Sequence, residues 1–204
     1  MKKLLIALAA GLAFTAAPVW AQKVLRLSHN AAPGNPKSEA SLKFAELVNQ
    51  KTQGRVKVEV GGSAQFGDDV ESLTNMRLGT LAFAAGSQGS TSGVVPQFAV
   101  IGLPFLFRDV GHMQRAIDGP AGEAISADLE RIGIIALAWY DAGARSIYTT
   151  RPVRTPADLR GMKIRVQTSD LWIDLMRALN ANPTPLPFGE VFTSLQSGVI
   201  DGAE

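Results

Sequence analysis

The chain has 204 residues, a formal net charge of +2 and no cysteine. Without cysteine it can form no disulfide, no thiol nucleophile and no cysteine-ligated zinc site, so a packed core must stabilise it. Its lysines and arginines are scattered among acids and do not form the basic stripe that phosphate binding needs, which argues against a nucleic-acid partner. The length allows one large or two small domains.

The N-terminus has the pattern of a secretory signal: MKK, then LLIALAAGLAFTAAP, then VWA. Val19 and Ala21 are the small residues that precede a cleavage site, so we expect residues 1–21 to be removed during export. A retained membrane anchor is the alternative, but the apolar stretch falls short of the roughly 20 residues that a spanning helix needs. Cleavage would remove Lys2 and Lys3 and leave no net charge.

β-branched runs then alternate with segments of helical period, which predicts an α/β sheet with crossover helices. Strands are predicted at 24–28, 56–60 and 81–85, and helices at 35–53 and 67–79. The first part of the mature chain therefore has the order β-α-β-α-β.

The segment GSQGSTSG at 86–93 follows the third strand in the manner of a phosphate loop. It lacks the Gly-Lys-Ser/Thr ending of such a loop, so we predict a ligand-facing or connecting loop instead. Helices are predicted at 109–118 and 121–131, followed by the apolar strand IIALAW, which ends near Tyr140. The amino-acid composition changes from Asp141 onward, where arginines become frequent.

This change predicts a first α/β lobe at 22–142 and a partial second lobe at 143–204. The second lobe is predicted to hold a strand with Arg145, a strand with Arg165, a helix at 169–179, the turn-rich NPTPLPF and a helix from GEVFTSLQ. The last residues, GVIDGAE, are predicted as a strand that has barely begun, so we expect a truncated product.

The sequence contains few of the residue patterns that are typical of catalytic or metal-binding sites. Only His29 and His112 can act as imidazole bases, and no HExxH spacing or Ser, His and Asp set is present. Asp68, Asp69 and Glu71 are acids in the first turn of a predicted helix, where their negative charges interact favourably with the helix dipole. We therefore expect no enzyme, no metal and no cofactor.

The short apolar run GMKIRVQT carries Arg165 in its middle, and arginine is rarely buried without a partner. Arg145 lies on the other predicted strand, so the two guanidiniums can converge on one cleft and clamp a carboxylate. The alternative is a structural role, with both arginines paired to Asp141, Asp158 or a surface acid.

Three segments decide between these alternatives: ARSIYTT, RPVRTPADLRGMKIRVQ and ALNANPTPLPFGEVFTSLQSGVIDGAE. Together with GLPFLF and GSAQFGDD, they resemble the solute-binding proteins of the tripartite ATP-independent periplasmic (TRAP) transporters. The resemblance covers essentially the whole mature chain.

The resemblance implies a two-lobe periplasmic binding-protein fold, incomplete at the C-terminus, that closes on a small organic acid. It implies delivery of that acid to a membrane permease driven by an ion gradient, without ATP, and we expect a monomer. By motif, Arg165 takes the role of the main carboxylate clamp and Arg145 that of the supporting arginine. Phe188 lies at a position where the family often places an apolar or aromatic side chain against the ligand, although a position in the core is an equal alternative.

Further ligand contacts are expected from the first lobe, at the ends of its strands, where α/β folds place their clefts. These residues are His29 and Asn30 after the first strand, Asp69 after GSAQFG, and Ser87 after the third strand. Trp139 is expected either at the mouth of the cleft or in the core.

Two other functions remain open. A binding protein of an ATP-driven importer would share the export signal and the two lobes, but not the Lys-x-Arg, Pro-Thr-Pro and Asp-Gly-x-Glu series. An exported enzyme would need a catalytic constellation.

Overall fold

The computed structural model describes residues 21–204. The predicted secretion signal therefore lies, except for Ala21, outside the described residues. Within residues 21–204, no helix is both long and apolar enough to cross a membrane. The same part of the chain contains no group of three His, Cys, Asp or Glu side chains that could hold a metal ion.

Three parallel strands form the first sheet, in the order β2-β1-β3. They are β1 (Lys23–Ser28), β2 (Val56–Gly61) and β3 (Phe83–Ala84). Helix α1 (Pro36–Lys51) joins β1 to β2, and α2 (Asp69–Arg77) joins β2 to β3. Parallel neighbours need such crossover connections, and the predicted β-α-β-α-β order is confirmed.

Side-chain caps set where these two helices begin. Asn35 Oδ1 accepts a hydrogen bond from Lys37 N–H at 2.9 Å. Asp68 Oδ1 accepts from the N–H groups of Val70 and Glu71 at 3.0 and 3.1 Å. Both caps satisfy backbone donors that have no partner inside the helix. They fix the first turns of α1 and α2, which carry side chains of the candidate site.

The segment 86–93, predicted as a loop, contains a short helix. Within it, Thr91 Oγ1 donates to the Ser87 carbonyl at 2.9 Å, four residues earlier. The two helices predicted after it are both present. The helices of this region are α3 (Gln88–Ser92), a 3₁₀ helix (Pro96–Gly102), α4 (Val110–Ile117) and α5 (Pro120–Glu130).

The apolar strand predicted at 134–140 is not formed. The side chains do alternate: Ile134 is buried in a core cluster, whereas Ile135 and Leu137 are 68% and 69% exposed. A strand also needs a neighbour to receive its backbone hydrogen bonds, and none of the described strands pairs with this segment. The local pattern was therefore strand-like, but the pairing partner was missing.

Four strands form the second sheet, in the order β4-β7-β5-β6. β5 runs parallel to β6 and β7, and β4 runs antiparallel to β7. The strands are β4 (Tyr148–Thr149), β5 (Lys163–Val166), β6 (Asn182–Pro185) and β7 (Gly202–Ala203). The helices are a 3₁₀ helix (Pro156–Leu159), α6 (Asp170–Ala178), a 3₁₀ helix (Phe188–Glu190) and α7 (Val191–Gln196).

The turn predicted in NPTPLPF is replaced by β6. Its prolines cannot donate to a neighbouring strand, so they suit the edge position that β6 occupies. β7, predicted as the beginning of a strand, lies in the interior of the sheet between β4 and β5.

The two sheets are connected where α3 packs beside the start of α6. Ser92 Oγ donates to Ser169 Oγ at 2.8 Å, and both residues are buried. A Cβ atom on Gly93 would lie 2.5 Å from the backbone oxygen of Thr168, so only glycine fits there. Small residues on α3 thus let the two α/β units approach closely.

Replacement of Gly93 by alanine should therefore lower the free energy of unfolding by about 1–3 kcal/mol, as overpacking against a backbone atom does. Chemical denaturation measures this change. Gly86→Ala is the matched control, because its Cβ would meet Thr91 Oγ1 at an ordinary 3.6 Å. Equal stability of the two variants would contradict the close approach.

Candidate ligand-binding cleft

Arg165 is buried in the interior of the second sheet. It lies on β5 between β6 and β7, and it is 2% exposed. Its Nε donates to the Leu186 carbonyl at 2.9 Å, and its Nη1 donates to the Glu204 carbonyl at 3.1 Å. Burial lowers the pKa of Arg165, while the charges of Tyr148 and Asp69 raise it. The two carbonyls use only two of the five guanidinium donors, so others are left for a further acceptor.

Arg145 and Arg165 converge on one carboxylate, that of Glu204, whose side chain is fully buried. Arg145 Nη1 contacts Glu204 Oε2, and Arg165 Nη1 lies 3.7 Å from Oε1. Oε1 also accepts from the Gln167 N–H at 2.8 Å. Glu204 carries one negative charge and the two guanidiniums carry two positive charges, so these three groups together keep a net positive charge that attracts anions.

The sequence patterns did not point to Glu204 as the partner, although it ends the Asp-Gly-x-Glu motif. The acids that were considered instead are engaged elsewhere. Asp141 accepts from the Gly143 N–H at 2.9 Å. Asp158 accepts from the N–H groups of Arg154 and Thr155 at 2.9 and 2.8 Å.

Arg145 does not lie on a strand, contrary to the prediction, because β4 begins only at Tyr148. Its guanidinium is held by a side chain instead, with Cζ 4.0 Å from the centroid of the Trp172 ring. A cation over an aromatic face is attracted by the ring quadrupole. Burial, followed by the charge of Arg165, lowers the pKa of Arg145 to about 10.

Phe188 lies beside this arginine pair. Its ring centroid is 5.9 Å from Arg165 Cζ, and the residue is 47% exposed, which favours a cleft wall over a core position. Phe188 and Thr168 line a small cleft together with Asn30 and Asp69 of the first α/β unit. The cleft therefore lies between the two sheets and receives side chains from both.

Three of the residues expected from the first lobe come together around Lys37. Lys37 Nζ donates to Asn30 Oδ1 at 3.0 Å and to Ser87 Oγ at 3.2 Å. Asp69 Oδ2 accepts from the Ser87 N–H at 3.2 Å. Burial lowers the pKa of Lys37, and the charge of Asp69 raises it. Lys37 was not singled out from the sequence, although a cation in the first turn of a helix is an available signal.

The structure does not bring His29 and Trp139 to the arginine pair. His29 is 2% exposed, and its Nδ1 accepts from the Ala31 N–H at 3.2 Å. Trp139 packs in a core cluster against Phe98, with the ring centroids 5.4 Å apart. Of the two alternatives for Trp139, the structure therefore favours the core.

Residues 27–204 match the profile of a protein family described as "Bacterial extracellular solute-binding protein, family 7". The chain belongs to this family, as the resemblance implied. It is 33% identical over 196 residues to the 2,3-diketo-L-gulonate-binding periplasmic protein YiaO of Escherichia coli, covering 96% of this chain and 60% of that protein. The chain spans 35% to 60% of the length of the first curated relatives that it matches.

Solved structures show the same fold. A TRAP periplasmic solute-binding protein from Xanthobacter autotrophicus, with bound β-D-galacturonate, is 42% identical with a TM-score of 0.84, covering 88% of this chain and 60% of that chain. Another from Sulfurospirillum deleyianum, with bound succinate, is 33% identical with a TM-score of 0.86, covering 89% of this chain and 59% of that chain. The predicted two-lobe α/β fold is confirmed.

The buried His29 should make stability depend on pH. Burial, and then the charge of Lys37, lower the pKa of His29 below 6.5. The unfolded chain then binds more protons than the folded one. The free energy of unfolding should be highest above about pH 6.5 and should fall as the pH drops from there through the folded pKa.

His29→Asn keeps an acceptor for the Ala31 N–H but cannot titrate, so it should flatten this slope in denaturation series between neutral and acidic pH. His112→Asn removes the other imidazole and should retain the slope. A slope that survives in the His29 variant would contradict the assignment.

Glu204→Gln should lower the free energy of unfolding by about 1.5–3 kcal/mol, because both guanidiniums lose their shared counter-ion while the shape is kept. Chemical denaturation measures the loss. Glu190→Gln, at an exposed carboxylate, should change little. A Glu204 variant as stable as this control would show that the carboxylate does not hold the arginine pair.

Proposed function

We propose that the protein is a periplasmic solute-binding protein that captures a small organic acid and delivers it to a TRAP permease. The acid is bound between two α/β lobes, 22–142 and 143–204, of which the second is partial. The observation that carries the proposal is the convergence of Arg145 and Arg165 on the carboxylate of Glu204, which leaves these three groups with a net positive charge. A ligand carboxylate supplies the missing negative charge.

The relatives support an acid of the sugar-acid class. Several solved relatives carry a bound hexuronate, and others carry D-erythronate or succinate. Each of these ligands has a carboxylate, which a guanidinium binds with paired hydrogen bonds. The cleft of this chain also contains Asn30 and Asp69, whose polar groups suit hydroxyls. A hexuronate is therefore the first ligand to test.

Binding is proposed to shift the protein toward a closed form. In the open form the arginines face a hydrated cleft, and the ligand favours closure only through contacts that the closed form alone provides. Arg165 lies on a strand in the second unit, whereas Asn30 and Asp69 belong to the first. A ligand that contacts both sets stabilises the closed form.

The remaining parts of the proposal follow from the resemblance. The signal is cleaved after Ala21, the mature protein is a periplasmic monomer, and it has neither a nucleic-acid partner nor a cofactor. The proposal includes no catalysis, because the family consists of binding proteins. A binding protein of an ATP-driven importer is less well supported, because the solved relatives are TRAP proteins.

Arg165→Ala should weaken the binding of D-galacturonate or D-glucuronate by about 3–5 kcal/mol, because the ligand carboxylate loses its buried partner. Arg165→Lys should recover little, since an ammonium cannot form the planar fork. Isothermal titration calorimetry on the full-length protein measures both affinities.

Arg177→Ala provides the control, because that guanidinium lies on the surface of α6 with 68% of its side chain exposed. The control variant should bind as tightly as the unmodified protein. Undiminished affinity in either Arg165 variant would refute the clamp.

A further inference from the structure

Lys37 occupies an unfavourable position for a cation. It lies in the first turn of α1, where the helix dipole already creates positive potential. It is also partly buried, and burial lowers its pKa. A lysine with a purely structural role would be better placed at the opposite end of the helix, where Lys51 lies. The contacts of its ammonium group show what it does at this position.

The ammonium group connects residues from three separate segments. It donates to Asn30 Oδ1, which follows β1, and to Ser87 Oγ, which precedes α3. The N–H of Ser87 donates in turn to Asp69 Oδ2 at the start of α2. Lys37 therefore holds together residues of the first α/β unit, of which Asn30 and Asp69 line the cleft.

The chemistry of an ammonium group determines how Asn30 is oriented. Ammonium only donates hydrogen bonds, so the amide oxygen of Asn30 must face Lys37. The NH₂ group of Asn30 is consequently left as a donor for the cleft, and Asn30 and Asp69 both line that cleft. A carboxylate accepts and an amide NH₂ donates, so the pair matches hydroxyl groups, which do both.

We propose that Lys37 is a positioning residue that orients Asn30 for the hydroxyl groups of the ligand. Through Asn30 it selects hydroxylated acids over acids of similar size without hydroxyls. The proposal rests on the proposed binding function, in which the arginines hold the carboxylate. It adds a distinct role for the cleft residues of the first α/β unit.

The test compares two ring acids, D-galacturonate and cyclohexanecarboxylate, which share a carboxylate and differ in their hydroxyls. Lys37→Met keeps an unbranched side chain of nearly the same length but removes the ammonium donors. In the full-length protein it should weaken D-galacturonate binding about tenfold or more, the effect of losing a hydrogen-bonded orientation. Binding of cyclohexanecarboxylate should change by less than about twofold.

Lys43→Met is the matched control, because Lys43 lies on the same helix with its side chain 60% exposed and paired to Glu46. It should change neither affinity. Asn30→Ala should reproduce the selective loss, and adding it to Lys37→Met should cause little further loss, because the two residues act as a unit. If Lys37→Met does not fold, Lys37→Gln takes its place, and the same changes in the two affinities are expected.

Equal weakening of both acids, or no weakening of D-galacturonate, would overturn the role of Lys37. The failure of the binding function itself has a different signature. In that case the unmodified protein would bind neither acid, or Arg165→Ala would leave the affinity for both acids unchanged, whatever the result for Lys37.

Discussion

The burial of one guanidinium governs the second half of the molecule. Arg165 lies on an interior strand, where an unpaired cation would be strongly unfavourable, so the surrounding backbone and side chains must supply acceptors. The Leu186 carbonyl after β6 and both the carbonyl and carboxylate of Glu204 after β7 meet this need. Because Glu204 also contacts Arg145, the same requirement brings the second guanidinium to the cleft. The second sheet thus brings two guanidiniums and one carboxylate together, a group with a net positive charge.

The cleft divides its chemistry between two α/β units. The unit that contains the second sheet provides guanidiniums and the wall of Phe188, which suit a carboxylate attached to an apolar face. The unit that contains the first sheet provides a lysine, an amide and a carboxylate, which suit hydroxyls. Glycine and serine residues on α3 let the units approach, since larger side chains would meet the backbone near Thr168. The guanidiniums and the cluster around Lys37 thus come from different units.

Local patterns predicted those parts of the fold that depend on neighbours in sequence. The helical period of the apolar residues predicted α1 and α2, and the apolar run around Arg165 predicted β5. Features that depend on distant partners were missed. Residues 134–137 alternate like a strand, but none of the described strands pairs with them, and β6 forms at the sheet edge, which tolerates its prolines. Glu204 and Lys37 reach the site only through folding, so spacing alone could not reveal them.

A crystal structure of the full-length protein with bound D-galacturonate tests the central claim most directly. The carboxylate of the ligand should lie within about 3 Å of guanidinium nitrogens of Arg165 and Arg145. Its hydroxyls should face Asn30 and Asp69. A ligand whose carboxylate lies away from both arginines, or a cleft that remains empty at saturating ligand, would contradict the claim that the buried guanidinium pair is the anion-binding site.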